Sequence, residues 1–374
     1  MKKLIILAAS LLLAVLTACG NLGGPPAQPA AETVTITDMT GRKVTVKTPV
    51  KTYALSTFDL INFVVPLKGK QAFEMLAGVG DSGGKPAYDR MYEPLFPGLK
   101  QRLAIISGHN APFDVEAILA KKPDVLIVNS AMQAHMHALK IESRLQEAGI
   151  ALVLVDVPKV ADKSVPEALY LFGQIFGEPE KAREVAGFIN EQFADIHARL
   201  SRSKQPKPVV YYEKSGTAET FGPSSLSNSS GWGSLIQIAG GDNLADQAVG
   251  SKRIGSSVVL DPELVIRSNP DYILLSGVNE LGMAVDANIA KAVRFDIIKR
   301  AGWAELKAVR HKNVYEYQHE LQRSVFLFYP ALSLAKLFYP EEFRDVDPEQ
   351  RLAEFYDRFM LIKSTDGIWK LKLE

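Results

Sequence analysis

The chain has 374 residues, with 43 lysines and arginines against 42 aspartates and glutamates, so its net charge is only +1. This balance, with no basic stripe, argues against a nucleic-acid partner. The length is large for one hydrophobic core and predicts two lobes, and the single cysteine, Cys19, excludes an internal disulfide or a cysteine metal cluster.

The first 19 residues have the pattern of a secretory signal that ends in a lipidation site. Two lysines precede the apolar run Leu4–Leu16, which is too short to span a bilayer comfortably. The following Thr-Ala-Cys19 is similar to a bacterial lipobox, in which the cysteine carries the lipid and becomes the first mature residue. A cleaved signal with an incidental cysteine is the alternative. Residues 20–32 are typical of a flexible tether, and no later segment is long and apolar enough to cross a membrane.

Strands and helices are predicted to alternate through the first half of the mature chain, which is typical of parallel β-α-β units. A hairpin with alternating β-formers is predicted around Gly41. Asp114 is placed to cap a helix that stops before Pro123. The predicted elements are the hairpin Val34–Val46, strands Tyr53–Ser56, Met75–Val79, Val125–Val128 and Ile150–Val155, and a helix Met132–Ala148.

A long helix is predicted over Pro179–Ser203, where apolar residues recur at three- and four-residue steps. Such a helix would be roughly 38 Å long and could run the height of a pair of lobes. It could be an ordinary surface helix, but its central position favours a strut between two halves.

The second half repeats the plan of the first. FDVEAILAKKPDVLIV, residues 113–128, aligns without a gap to LDPELVIRSNPDYILL, residues 260–275, at a constant offset of 147. Asp261 is again a helix cap, and Pro262 suits the first helical position. The other predicted elements are strand Val209–Tyr212, helix Gly233–Ala239, an approach Trp303–Leu306 to the last strand Val314–Tyr317, and a terminal helix Arg323–Leu337.

Taken together, five segments resemble the periplasmic substrate-binding proteins of the iron-siderophore, haem and cobalamin ABC importers. They are the opening DMTGRKVTV, the run E-x-I-L-x-x-K-P-D-x-x-I from Glu116, the long helix, SLIQIAGGDNLA at 234–245 and WAELKAVRHKNVYEY at 303–317. The resemblance spans about Thr33 to Phe343. It implies an α/β fold of two Rossmann-like lobes with mostly parallel sheets, residues 33–177 and 205–374, joined by one bridging helix, residues 178–204.

The resemblance also gives the repeated unit a role. In the family, the acidic residue near the start of this helix in each lobe docks onto arginines of a two-fold symmetric permease, and Glu116 and Glu263 match those positions. A carboxylate at a helix start stays ionised, and exposed rim charges steer docking. The plainer interpretation is that glutamate is favourable in any first helical turn, by a few tenths of a kcal/mol.

Ligands of open α/β sheets bind beyond the carboxyl ends of the strands, which nominates the loops there. Aromatic and cationic side chains alternate in these loops, as suits a planar or anionic metal chelate. The cleft candidates are Phe58, His109, Asn110, Met132, His135, Tyr212, Lys214, Phe221, Trp232, Arg253, Tyr317 and Arg323.

Among them, His109 is the candidate metal ligand. GHNAPFDVEAIL is similar to haem-binding members, in which an iron-ligating tyrosine directly follows the glycine; here histidine, also a competent ligand, takes that place. The alternative is a surface hydrogen-bonding histidine. His135 and His137 cannot jointly chelate on a helix, because residues two apart point in different directions. Lys214, Arg253 and Arg323 could pair with siderophore carboxylates or haem propionates.

The sequence therefore predicts a lipid-anchored, monomeric binding protein that holds an iron chelate (ferric siderophore, haem or a cobalamin-like complex) and delivers it to an ABC permease dimer and its ATPase subunits. No intrinsic cofactor and no catalysis are expected, since no H-E-x-x-H motif is present and no thiol remains after Cys19. The alternatives are a zinc or manganese binding protein of a related importer, which would need several converging histidines and carboxylates, and a lipid-anchored hydrolase.

Overall fold

The computed structural model describes residues 32–81, 85–108, 113–138, 140–157, 161–228, 231–248, 253–254, 257–277, 281–283, 285–286, 288 and 296–373. His135 and Arg253 are described by their backbone only. Cys19 and residues 20–31 of the predicted tether, like His109 and Asn110, lie outside the described residues, whereas Glu32, the last predicted tether residue, belongs to the first strand.

An antiparallel hairpin opens the described chain, as predicted. Strands β1 (Glu32–Thr37) and β2 (Lys43–Thr48) pair in the register Val34↔Val46, with Gly41 at φ +86° in the turn. The hairpin rests on the first lobe, because the Met39 N–H donates to the Leu154 carbonyl at 3.1 Å.

The first lobe is built on a five-stranded parallel sheet in the order β5-β4-β3-β6-β7. Its strands are short and buried, as apolar runs between helices predict. They are β3 (Tyr53–Leu55), β4 (Leu76–Gly80), β5 (Ala104–Ser107), β6 (Val125–Asn129) and β7 (Ala151–Val155). Its helices are α1 (Ile61–Lys68), α2 (Gln71–Glu74), α3 (Lys85–Tyr92), α4 (Leu99–Arg102), α5 (Val115–Lys121), α6 (Gln133–Ala138), α7 (Ile141–Glu147) and α8 (Ala161–Phe176).

The single helix predicted over Met132–Ala148 is wrong. A 3₁₀ turn at Ser130–Met132 leads into α6, and the chain breaks at Lys140, whose φ of +51° is left-handed. Just after the break, Glu142 of α7 pairs with Arg42 of the hairpin at 3.4 Å. No glycine or proline marks the position, so the local sequence gives no sign of it.

The long helix is confirmed as α9 (Pro179–Leu200), 22 residues or about 33 Å. Next to its start, Glu178 forms an ion pair with Lys68 of α1 at 2.8 Å. Near its end, Arg199 pairs with Asp345, in the second lobe, at 2.7 Å. The helix therefore contacts both lobes.

The second lobe holds a five-stranded sheet in the order β10-β8-β13-β15-β17, parallel except for β17. Strands β9, β11 and β12 form a small antiparallel sheet beside it, and β14 pairs with β16. The strands are β8 (Val209–Lys214), β9 (Pro223–Ser225), β10 (Asp242–Asn243), β11 (Arg253–Ile254), β12 (Ser257–Val259), β13 (Tyr272–Gly277), β14 (Gly282–Met283), β15 (Val314–Gln318), β16 (Gly367–Ile368) and β17 (Lys370–Lys372). Its helices are α10 (Trp232–Ile238), α11 (Pro262–Ser268), α12 (Lys307–Arg310), α13 (Phe328–Phe338) and α14 (Pro348–Phe359).

The predicted end of the fold is also wrong. The segment assigned to a terminal helix from Arg323 starts instead with a 3₁₀ turn, His319–Arg323, and α13 follows five residues later. The chain then adds α14, capped by Asp347, and the antiparallel edge strand β17. Phe355 of α14 packs on Phe188 of α9 at 5.5 Å between ring centroids, so the addition buries an apolar face that would otherwise be exposed.

Hydrophobic cores lie on both faces of each main sheet, as a doubly covered sheet requires. The largest cluster is continuous from the first lobe through α9 into the second, and smaller clusters fill the outer face of each sheet. One buried ion pair stabilises the second lobe: Arg300 contacts Glu213 at 2.8 Å, with side chains 2% and 0% exposed. Arg300 also donates to the Thr217 and Thr220 carbonyls, which fixes the loop after β8.

Candidate functional site

Both copies of the repeated unit have the same local geometry. The Asp114 carboxylate accepts a hydrogen bond from the Ala117 N–H at 2.9 Å, and Asp261 accepts from the Glu263 N–H at 2.8 Å, which confirms both predicted caps. The helices then end at left-handed residues, Lys122 and Asn269, with φ of 43° and 44°.

The last acidic position of the repeat, Asp124 in the first copy and Asp271 in the second, makes backbone hydrogen bonds in both copies. The Asp124 carboxylate accepts from the Lys51 N–H at 2.8 Å, and Asp271 accepts from the Val209 N–H at 2.9 Å. Each aspartate therefore ties the start of its own strand to the neighbouring strand. The repeat builds the same corner of the sheet twice.

Glu116 and Glu263 are both exposed, but their surroundings differ. The Glu116 carboxylate, 79% exposed, accepts from Arg144 of α7 at 2.6 Å. Within the described part of the chain, Glu263 has no ion-pair partner within 4.0 Å. Neither side chain is needed for the caps, since Asp114 and Asp261 make them.

A buried chain of polar groups crosses the carboxyl ends of β8, β13 and β15. The Tyr212 hydroxyl lies 2.8 Å from Ser276 Oγ, which lies 2.8 Å from His319 Nδ1. Gln322 Oε1 accepts from the backbone N–H of Trp232 at 3.0 Å. The Nε2 of Gln322 therefore donates to His319 Nε2 at 2.8 Å. His319 is therefore a neutral Nδ1–H tautomer that donates to Ser276.

Charged groups border this chain where the lobes meet. Burial lowers the pKa of the half-buried Lys214, and the neighbouring Arg323 lowers it further. Burial raises the pKa of the Glu320 carboxyl, opposed by Arg323 and reinforced by Asp59. Because Asp59 follows β3 of the first lobe, the strand ends of the two lobes face each other here.

The structure places the predicted cleft residues in three groups. Lys214 and the exposed Arg323 lie together at the strand ends. The rings of Phe58, Tyr212, Trp232 and Tyr317 are buried, with Trp232 stacked on Tyr212 at 5.8 Å and the Tyr317 hydroxyl 2.9 Å from Ser333 Oγ.

Two further candidates pack within their own lobes. Phe221 lies against Arg300, with the guanidinium 4.0 Å from the ring centroid, and against Trp303. Met132 is half-buried against the outer core of the first lobe. Sequence reasoning did not single out Asp59, Asn62 or Glu320, because their significance lies in contacts between lobes that no local pattern encodes.

Within the described ranges, no group of three or more histidine, cysteine, aspartate or glutamate side chains could hold a metal ion. Over the same part of the chain, every helix is too short or too polar to span a bilayer.

Two parallel-stranded sheets, one long connecting helix and facing strand ends define a helix-linked substrate-binding protein. A model of the periplasmic binding protein family matches residues 97–321, well over half of the chain. The chain belongs to that family, and it is a substrate-binding protein of an ABC transporter, the component that delivers ligand to the permease and its ATPase.

Three similar proteins carry names that do not agree on a ligand. The crystal structure of the TroA-like periplasmic binding protein FepB from Veillonella parvula is 30% identical and covers 91% of this chain and 100% of its own, with a TM-score of 0.81. The molybdate-binding protein MolA of Haemophilus influenzae is 24% identical over 87% of this chain and 90% of its own. An uncharacterized ABC transporter substrate-binding lipoprotein, YvrC of Bacillus subtilis, is 25% identical over 92% of this chain and 100% of its own.

The buried histidine predicts an acid-sensitive fold. Burial, with Lys214 and Arg323 nearby, holds the pKa of His319 well below its usual value. The unfolded chain therefore takes up a proton at a higher pH than the folded one, and stability falls as the pH drops below about 6.5. We expect His319→Gln to flatten the dependence of the urea-unfolding free energy on pH between about 5 and 7.

The exposed His311 provides a matched control. His311→Gln should keep the slope of the native chain. Equal slopes for the native chain and His319→Gln would contradict the assignment of His319 as a buried neutral group.

Proposed function

We propose that this protein captures an anionic iron chelate, a ferric siderophore or haem, between its two lobes and does so without catalysis. The observation that carries the proposal is the pair Lys214 and Arg323 beside the buried chain from Tyr212 to His319, at the carboxyl ends of adjacent strands. Cations bordered by hydroxyl and imidazole groups suit a ligand with carboxylate, propionate or catecholate oxygens. The resemblance of the sequence to the binding proteins of iron-siderophore and haem importers supports the same class.

His109 is the residue that would contact iron directly. In the sequence it comes two residues after the end of β5, outside the described residues, and the sequence pattern is its support. For haem, His109→Ala should abolish a shift of the Soret band on binding.

A small oxyanion is the second candidate. The relative named for molybdate covers most of this chain, and the same cations and hydroxyls could hold a tetrahedral anion. A bare zinc or manganese ion has less support, since the described residues offer no cluster of ligands.

Removal of the two cations should distinguish a real anion site from surface charge. We expect Lys214→Ala with Arg323→Ala to weaken binding of haem, of a ferric siderophore or of molybdate, whichever binds the native chain, by roughly 100-fold or more, because each of the two charge-assisted hydrogen bonds contributes about 1.5–3 kcal/mol. Isothermal titration calorimetry with each of the three compounds measures this.

The control removes the same charge from the opposite end of the second sheet. Lys307 and Arg310 lie on α12, before the amino end of β15. Lys307→Ala with Arg310→Ala should leave the affinity unchanged. Equal affinity in both double variants would remove Lys214 and Arg323 from the site, and tight binding of molybdate alone would favour the oxyanion.

We also propose that Glu116 and Glu263 dock onto cationic residues of the permease. Their support is the matched position in two equivalent corners, their exposure and their lack of a structural task in the caps. A two-fold permease requires two equivalent contacts on one binding protein.

Glu116→Ala with Glu263→Ala should leave ligand affinity unchanged and abolish uptake of the ligand by cells or by proteoliposomes that hold the transporter. Glu74→Ala with Glu341→Ala removes two other exposed carboxylates and should transport normally. Normal uptake by the first pair would remove the docking assignment.

Cys19 is proposed as the lipid attachment that keeps the exported protein at the membrane. Its support is the lipobox-like Leu16-Thr-Ala-Cys19, and one relative is itself named a lipoprotein. Cells should incorporate labelled palmitate into the native chain and none into Cys19→Ser; equal labelling would contradict it.

A further inference from the structure

A small cavity lies between the lobes, close to the candidate ligand site and separate from its cations. Asn62 and Met91 line it from the first lobe. The second lobe contributes the remaining lining, Gly282, Met283, Gln318, Glu320, Leu321, Ser324, Phe326 and Trp369. Its volume is about 10 Å³, close to the least that holds one water molecule.

One wall of the cavity carries an unused hydrogen-bond donor. Asn62 is fully buried at 0% exposure, and its Oδ1 accepts the hydroxyl of Tyr92 at 3.0 Å. Among the described residues, its Nδ2 has no hydrogen-bond partner. A buried amide donor without a partner is destabilising, so a position that keeps one normally has an occupant that satisfies it.

The opposite wall carries the groups that such an occupant would need. Gln318, Glu320 and Ser324 are all buried, at 5%, 8% and 1% exposure, and each has oxygen atoms. The Gln318 side chain is held in place because its Oε1 caps the 3₁₀ turn by accepting from the Leu321 N–H at 3.0 Å. A site with one donor on the first lobe and several acceptors on the second fits a molecule that both accepts and donates.

We infer that this cavity is a hydration site, in which one water molecule accepts from Asn62 Nδ2 and donates to an oxygen of Gln318, Glu320 or Ser324. The water is a polar tie between the two lobes. It lies where the lobes already touch, since Arg90 Nε donates to the Met283 carbonyl at 3.2 Å beside it. Its presence favours contact between the two lobes at this point, whichever ligand the protein carries.

A crystal structure of the full chain, at a resolution that shows ordered water, tests the site directly. We expect one water about 2.7–3.2 Å from Asn62 Nδ2 and from one of the three oxygen-bearing side chains. An empty cavity, or one filled by a protein side chain, would overturn the inference and would leave the proposed ligand function untouched.

Paired variants test the tie. Tyr92→Phe keeps the Asn62 amide, whereas Tyr92→Phe with Asn62→Leu replaces both polar groups by apolar groups of similar size. We expect hydrogen exchange of the backbone amides of His319–Ser324 to be about fivefold faster in the double variant than in Tyr92→Phe, which is the effect of one lost hydrogen bond of about 1 kcal/mol.

The second lobe offers an independent variant. Ser324→Ala should leave the water in place if Glu320 or Gln318 accepts from it, and should displace it if Ser324 does, so a crystal structure of this variant identifies the acceptor. Equal exchange rates in Tyr92→Phe and in the double variant would show that no tie exists, even if the site is hydrated.

Discussion

The structure depends on the anchoring of α9 at both ends and in its middle. Lys68 and Glu178 hold its start to the first lobe, Arg199 and Asp345 hold its end to the second, and Phe188 packs among Phe328, Phe355 and Phe359. Individually, the partly exposed ion pairs contribute little. The aromatic packing contributes more, and it joins α9, α13 and α14 in one core. Because Phe328, Phe355 and Phe359 all belong to the second lobe, this packing fixes α9 on that lobe.

The repeated unit shows how a sequence duplication separates structure from function. Asp114 and Asp261 cap helices, and Asp124 and Asp271 tie neighbouring strands, so both pairs are accounted for by local hydrogen bonds. The glutamates between them in sequence, Glu116 and Glu263, are not accounted for in this way. Glu263 lacks an ion-pair partner among the described residues, and Glu116 has only the exposed Arg144. A repeated charge with no internal task is what an external partner would use.

Much of the fold was predictable because its signals are local. The spacing of apolar residues predicted α9, with its C-terminal end correct to within three residues. The aspartates before apolar runs predicted both helix caps. The break at Lys140 was not predictable, since neither a glycine nor a proline marks the position. The α14 helix was not predicted, although Asp347-Pro348, a cap followed by proline at the first helical position, is a local signal for its start.

The candidate site was only partly predictable for the same reason. The rule that ligands bind at strand ends predicted Lys214 and Arg323, which the structure brings together. The same rule predicted Phe221, which packs against Arg300 in the interior of its own lobe. The chain from Tyr212 through Ser276 to His319 joins residues more than 40 positions apart. Asn62 sits in an apolar helix, where the sequence alone gives no reason to separate it from its neighbours.

The antiparallel strand β17 pairs along β15, which would otherwise be an edge of the second sheet. An uncovered edge strand presents a row of unpaired backbone N–H and C=O groups to which another chain can add. The strand that takes over this edge is only three residues long and carries Lys370 and Lys372. A short, charged edge of this kind discourages pairing with a strand of another molecule, so this side of the second lobe is protected against edge-to-edge aggregation.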